Sequence, residues 1–243
     1  MKGVILAGGH GKRLLPLTLK TNKHLLIVAG EPMIYYPLHT LKQAGIKDIL
    51  IVTGKEHSEK IFSLIGLGEK LNLKISYNFQ DKALGIPHAI SLAKDFTGKG
   101  KFVAINGDNI LTDSIKPFVT SFKKSKFLSK ILLFKGTSEQ AKKSGVAVLK
   151  GSQVIKVVEK PKTPPAQNIV TGVYMYTPDV FSVIKKLKPS KRGELEIADV
   201  HNHYIRKKKL SADFISGKWR DAGTIKELNQ ARRMTSGMQK KGF

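Results

Sequence analysis

The first seventeen residues constrain this chain more than any other stretch. Val4-Ile-Leu-Ala7 is an apolar run that stops abruptly at Gly8-Gly9. A run this short, apolar at consecutive positions and ended by glycine, predicts a strand buried on both faces, as in a parallel sheet. The loop that follows holds Gly8, Gly9 and Gly11, then Lys12 and Arg13. Glycines let several backbone N–H groups converge on one anion, and an arginine beside them can bind that anion bidentately. The loop therefore reads as a phosphate cradle, with a plain tight turn as the other reading. Two familiar phosphate loops fail on spacing. A dinucleotide fingerprint starting at Gly9 needs a small residue where Leu14 stands, and a Walker loop needs glycine at Leu6 and Ser or Thr at Arg13.

The rest of the first half supplies the sheet that such a loop needs. Strands are predicted at Asp48–Thr53, Lys74–Phe79 and Lys101–Ile105. Between them lie helices at Met33–Ala44 (closed by Gly45), Ser58–Ile65 (closed by Gly66) and Gly85–Ala93, where Pro87 suits the first turn. Gly30-Glu-Pro32 reads as a turn. This β-α-β-α-β alternation predicts a parallel sheet with crossover helices. The Gly8 loop and the Gly107-Asp108 turn then lie together at carboxyl ends of strands, where open α/β sheets bind ligands.

The second half reads as strands at Lys130–Phe134, Val146–Leu149, Val154–Val158, Val170–Tyr176 and Leu210–Ile215. Helices are predicted at Ser114–Ser125, Asp179–Leu187 and Leu195–Arg206, and Thr224-Ile-Lys-Glu227 opens a last one as a capping box. No linker or repeat divides the chain. The expectation is an α/β fold with a Rossmann-like, mixed but mostly parallel sheet flanked by helices. It forms one domain over 1–243, with two halves that meet at about residue 110.

Composition excludes several functions. The chain has no cysteine, so disulfides, zinc fingers and thiol nucleophiles are out. No apolar run approaches the roughly 18 residues of a membrane span, and the N-terminal one is too short for a secretory signal. The expected location is the cytoplasm. The formal net charge of +25 stands apart. The lysine runs (such as Arg206-Lys-Lys-Lys209) are scattered and lack the interleaved aromatics of single-strand binders; a solvated surface is the expectation, with steering of anions or a polyanion partner as the other reading.

Asp108 and Asp221 each sit beside a glycine at an element boundary. Two aspartates with substrate phosphates and water are an ordinary Mg²⁺ arrangement, because Mg²⁺ is rarely caged by protein alone. Turn aspartates capping backbone N–H groups are the alternative. His201-Asn-His203 falls in a predicted helix, where the two rings diverge, so the pair is not read as a metal site.

Taken jointly, the motifs resemble a known family. Gly8-Gly-His-Gly-Lys-Arg-Leu-Leu-Pro-Leu-Thr18, Asn22-Lys-His-Leu-Leu26, Pro32-Met-Ile-Tyr-Tyr36, Gly107-Asp-Asn109, Glu159-Lys-Pro161, Val170-Thr-Gly172, Arg192-Gly-Glu-Leu-Glu-Ile197 and Trp219-Arg-Asp-Ala-Gly223 stand in the order and spacing of sugar-1-phosphate nucleotidylyltransferases. The chain is most similar to the short-form glucose-1-phosphate thymidylyltransferases. The resemblance implies that Leu6, Ala7, Gly8, Gly9, Gly11 and Arg13 hold a nucleoside triphosphate, that Lys23 touches its phosphates and that Gln80 and Gly85 read the base. It implies Mg²⁺ on Asp108 and Asp221, with Asp108 also on the nucleotide side. Asn109, Gly145, Glu159, Lys160, Val170 and Trp219 are expected around the sugar-1-phosphate, and Arg13, Lys23 and Lys160 as the catalytic cations. A homo-oligomer is compatible with it. The implied reaction transfers a nucleotidyl group, from dTTP before UTP, to glucose-1-phosphate; an inactive, nucleic-acid-binding relative is the remote alternative. Lys12, Ile27, Leu84, Pro87, His88, Asn106, Ser144 and Ala222 depart from the family's pattern. Leu84, Asn106 and Ser144 adjoin base- or sugar-reading positions.

Overall fold

The computed structural model describes residues 1–56 and 58–236. Thirteen strands and nine α-helices follow one another among these residues. β1 (Lys2–Ala7) leads through short strands β2 (Ile27–Val28) and β3 (Glu31–Pro32) to α1 (Tyr35–Gln43), β4 (Asp48–Gly54), α2 (Ser58–Ile65) and β5 (Lys74–Gln80). Next come α3 (Ile86–Ser91), α4 (Lys94–Thr97), β6 (Phe102–Asn106), β7 (Asn109–Leu111), α5 (Lys116–Lys124), β8 (Ser129–Lys135) and α6 (Ser138–Ala141). The chain continues through β9 (Gly145–Lys150), β10 (Gln153–Glu159), β11 (Asn168–Tyr176), α7 (Val180–Ile184), α8 (Ile197–Arg206), β12 (Leu210–Phe214), β13 (Trp219–Asp221) and α9 (Ile225–Thr235).

Nine strands form one mixed sheet. β1 lies parallel to β4 on one side and β6 on the other, and β5 extends the parallel block beyond β4. Successive residues of these strands enter opposite cores. Ile5, Ala7, Ile49, Ile51, Val103 and Ile105 pack on one face; Val4, Leu6, Leu50, Val52, Phe102 and Ala104 pack on the other. Two-sided burial explains why the strands read as continuous apolar runs rather than alternating ones.

β11 decides where the cleft opens. One edge pairs with β8 from Asn168 to Tyr176, with an irregularity between Val170 and Tyr174. The other edge pairs antiparallel with β6 at Val173–Tyr176 and with β9 only at Ile169. Between these partners, Val170, Thr171 and Gly172 have no strand on that edge. The β9–β10 hairpin therefore splays from the end of β6, and a cleft lies in the fork.

Three local expectations need correction. Gly30-Glu-Pro32 is not all turn: Glu31–Pro32 pairs with Ile27–Val28, and the reversal falls at Ala29 and Gly30, both with positive φ. A two-residue edge strand tolerates the proline's missing N–H. The helix expected over Asp179–Leu187 is confined to Val180–Ile184. The capping box at α9 is half formed. Thr224 accepts from the Glu227 N–H, but the Glu227 carboxylate accepts from the Thr224 hydroxyl. A reciprocal box occurs instead at α6, between Thr137 and Gln140.

Candidate active site

The carboxyl ends of β1 and β6 and the fork beside β11 enclose a cleft of about 680 Å³, in the size range of small-molecule sites. At one end the glycines after β1 make room for side chains from elsewhere. A Cβ on Gly8 would stand 2.0 Å from Gln80 Oε1, and one on Gly9 would meet Lys23 Cε at 3.3 Å. Gln80 Nε2 is 2.8 Å from His88 Nδ1, so the histidine that departs from the family's pattern orients the carboxamide expected to read a base. Gly85 packs its backbone on Leu195, whose N–H donates to the Leu84 carbonyl at 2.9 Å.

The acidic centre follows from the turn after β6. Gly107 has no side chain because His24 lies over it: a Cβ there would fall 2.6 Å from the imidazole Cδ2. His24 is fully buried, with Nδ1 2.6 Å from Asn22 Oδ1. Burial first, then the Lys23 charge, pushes its pKa down to about 3, so the ring is neutral. The Lys23 ammonium hydrogen-bonds the Asp108 carboxylate. Burial alone would raise Asp108, but Lys23 outweighs it and holds the carboxyl below its usual range.

Asp221 reaches the same place through β13, which pairs with β7 so that Asp221 lies opposite Asn109. Burial and then the Asp108 charge hold the Asp221 carboxyl well above its usual range. Its Oδ1 is buried without a hydrogen-bond partner. The Arg13 guanidinium approaches from the glycine loop: a Cβ on Gly223 would stand 2.8 Å from Asp221 Oδ1 and 3.0 Å from Arg13 Nη2. Two facing carboxylates, one with an orphaned oxygen, form an electron-rich pair suited to a hard cation that also carries phosphate oxygens. No cluster of three or more His, Asp or Glu ligands occurs among the described residues. Such a cation would therefore depend on ligand oxygens for the rest of its shell.

At the far end, Gly145, Glu159 and Val170 converge. A Cβ on Gly145 would meet Glu159 Oε2 at 3.4 Å and Val170 Cβ at 3.6 Å. Lys160 adopts φ 42°, its N–H donates to Ser144 O at 3.1 Å, and its ammonium lies 3.7 Å from Glu159 Oε1. Burial raises the Glu159 carboxyl despite Lys160. Trp219 is 4% exposed and tilts against Phe134 at 5.7 Å.

Of the residues named from sequence, Leu6, Gly8, Gly9, Arg13, Lys23, Gln80, Gly85, Asp108, Asn109, Gly145, Glu159, Lys160, Val170, Trp219 and Asp221 all border this one cleft. Ala7 and Gly11 do not. Ala7 is fully buried in β1, and Gly11, at φ 65°, shapes the loop and accepts from Thr18 Oγ1 at 2.9 Å. The cleft also includes Asn106, Tyr174, Arg192, Glu194 and His201, which were not assigned as site residues. Arg192 and Glu194 lie within the Arg192–Ile197 motif, so a signal existed for them. Asn106 was visible only as a departure from pattern. Tyr174 and His201 carry no local signal, because their place in the wall follows from how β11 and α8 pack.

A model of the family described as Nucleotidyl transferase matches residues 2–236. The low-salt glycan biosynthesis nucleotidyltransferase Agl11 of Haloferax volcanii is 36% identical over 236 residues, 96% of this chain and 66% of that protein. The glucose-1-phosphate thymidylyltransferase of Neisseria meningitidis is 35% identical over 235 residues, 95% of this chain and 81% of that protein. The chain thus spans just under two thirds of the length of the Haloferax relative. Among solved structures, the Bacillus anthracis protein assigned as a glucose-1-phosphate thymidylyltransferase, in complex with sucrose, is 46% identical with a TM-score of 0.93, covering 97% of this chain and 95% of that one. An apo UDP-glucose pyrophosphorylase is 25% identical with a TM-score of 0.82, covering 98% and 99%.

Proposed function

Because this chain belongs to the nucleotidyl transferase family, we propose that it transfers the thymidylyl group of dTTP to glucose-1-phosphate, releasing pyrophosphate and forming dTDP-glucose. The observation that carries this reading is the joining, in one cleft, of a glycine loop with Arg13 and Lys23 to a second cationic end at Lys160. A single cleft with cations at both ends is what a reaction between two phosphorylated substrates needs.

The chemistry asks little of a base. A sugar-1-phosphate has a second pKa of roughly 6 and is mostly dianionic at neutral pH. One of its oxygens attacks the α-phosphorus in line; the bond from that phosphorus to the bridging oxygen breaks, and the electron pair leaves with pyrophosphate. Catalysis then consists of bringing two polyanions together and neutralising the charge that builds up. Arg13, beside the glycine loop, stabilises the departing pyrophosphate. Lys23 sits on Asp108 at the cleft floor and neutralises the α-phosphoryl oxygens. Lys160 is directed by its left-handed backbone and holds the attacking phosphate. Asp108 and Asp221 would hold Mg²⁺, which would screen the charge on the substrate phosphates.

The test measures pyrophosphate release across a grid of nucleoside triphosphates and sugar-1-phosphates. The highest kcat/KM is expected for dTTP with glucose-1-phosphate. A maximum at UTP would move the assignment toward the pyrophosphorylase-type neighbour, and no turnover on any pair would overturn it.

A further inference from the structure

The sugar-side floor of the cleft holds polar groups with nothing to bind. Asn106 ends β6, one residue beyond the Ile105–Val173 pair, and borders the cleft. A Cβ on Gly172 would lie 2.5 Å from Asn106 Nδ2, so the glycine is what lets this carboxamide lie flat against β11. Asn106 Oδ1 is buried without a hydrogen-bond partner, and Tyr174 of β11 also borders the cleft. Beyond Tyr174 stands His201 of α8, fully buried, its ring centre 5.3 Å from that of Tyr174 and stacked on Tyr176 at 12°. Neither nitrogen of His201 has a partner, although it too borders the cleft.

Buried polar atoms are almost always paired, and those left bare cost folding free energy until a partner arrives. Here three such atoms, Asn106 Oδ1 and both His201 nitrogens, lie on either side of Tyr174, behind the residues assigned to the sugar. Burial pushes the His201 pKa down to about 3, so the ring stays neutral and offers one donor and one acceptor. An aliphatic residue at position 106 would leave no such acceptor.

We propose that Asn106 and His201 form a hydrogen-bonding floor that reads one ring substituent of the sugar-1-phosphate, and so set which hexose phosphate this enzyme accepts. The ligand class is a hexose-1-phosphate carrying a hydroxyl or acylamino group at that ring position. The inference rests on the nucleotidyl-transfer reading above. Position 106 sits on the sugar side because Gly172 and Tyr174 share β11 with Val170.

The experiment compares wild type, Asn106→Leu and His201→Phe on glucose-1-phosphate and its 2-, 3-, 4- and 6-deoxy analogues, with dTTP and with UTP. Wild type should lose about tenfold or more in kcat/KM on one analogue, because a site built to bond a hydroxyl rejects the compound lacking it. Asn106→Leu should lose a similar factor on glucose-1-phosphate, mostly in KM, and should no longer distinguish that analogue. Unchanged ratios across the deoxy series in both variants would overturn the proposal and leave the row as the seat of a structural water. A change confined to the dTTP/UTP ratio would also overturn it, by placing Asn106 on the ribose. Asn106→Ser carries the same prediction should the leucine variant not fold. If wild type turns over no sugar-1-phosphate at all, it is the functional reading that fails.

Discussion

Trp219 donates its indole N–H to Asn109 Oδ1 at 2.7 Å. The backbone N–H of Gly172 donates to the same oxygen at 2.9 Å. One carboxamide oxygen thus ties β13, which carries Asp221, to β11, which forms the cleft floor. All three residues are buried.

Asn109→Leu leaves both donors buried and bare. Each costs about 1–3 kcal/mol, so urea unfolding should show a loss of roughly 2–5 kcal/mol. Asn109→Asp keeps an acceptor and should lose less. Equal stability of the leucine variant and wild type would show that the shared oxygen does not hold the two strands.

Arg13→Ala should lower turnover by two or more orders of magnitude, the range seen when a group stabilising developing charge is removed, with an unchanged circular dichroism spectrum. The side chain is exposed, so folding does not depend on its burial. Steady-state pyrophosphate release is the readout, and wild-type turnover would remove Arg13 from the mechanism.

Asp221 gives a pH dependence with a definite sign. Burial and the Asp108 charge raise its carboxyl in the folded chain. A raised carboxyl favours folding while protonated; that stability is complete below the ordinary value near ~4 and is lost as pH rises through the raised one. Metal-free protein should therefore melt at falling temperature from about pH 4 toward and past neutrality, as far as this group decides it. Asp221→Asn should flatten that slope and be more stable than wild type at pH 8 in chelator, by on the order of 1–3 kcal/mol, while its turnover collapses. A melting curve as steep as wild type's would separate Asp221 from Asp108.

Gly85 has φ 101°, and a Cβ there would lie 2.2 Å from the Leu195 carbonyl oxygen. Gly85→Ala should cost more than about 2 kcal/mol, adding a backbone clash to the strain of positive φ. Because the 81–85 loop would be pushed from α8's leading segment, KM for the nucleotide should rise more than KM for the sugar phosphate. Comparing the two KM values checks this, and equal changes would argue for general loosening.

By itself the sequence determined the order of the long strands and the helices between them, though not the short β2, β3, β7, β13, α4 and α6. It did so because two-sided burial writes β1, β4 and β6 as unbroken apolar runs, and because Gly45 and Gly66 stop their helices where φ turns positive. It also determined the glycine loop and the paired aspartates, since motif spacing carries through the chain even when the elements between are misjudged by a few residues. The tertiary structure alone decided what those residues face. That Gly8 is a glycine for the sake of Gln80, and Gly107 for the sake of His24, depends on contacts across more than 70 positions in each case. The Asn106–Tyr174–His201 row has the same origin. It unites the end of β6, the middle of β11 and an inward turn of α8, and no local pattern marks such a meeting because only packing creates it.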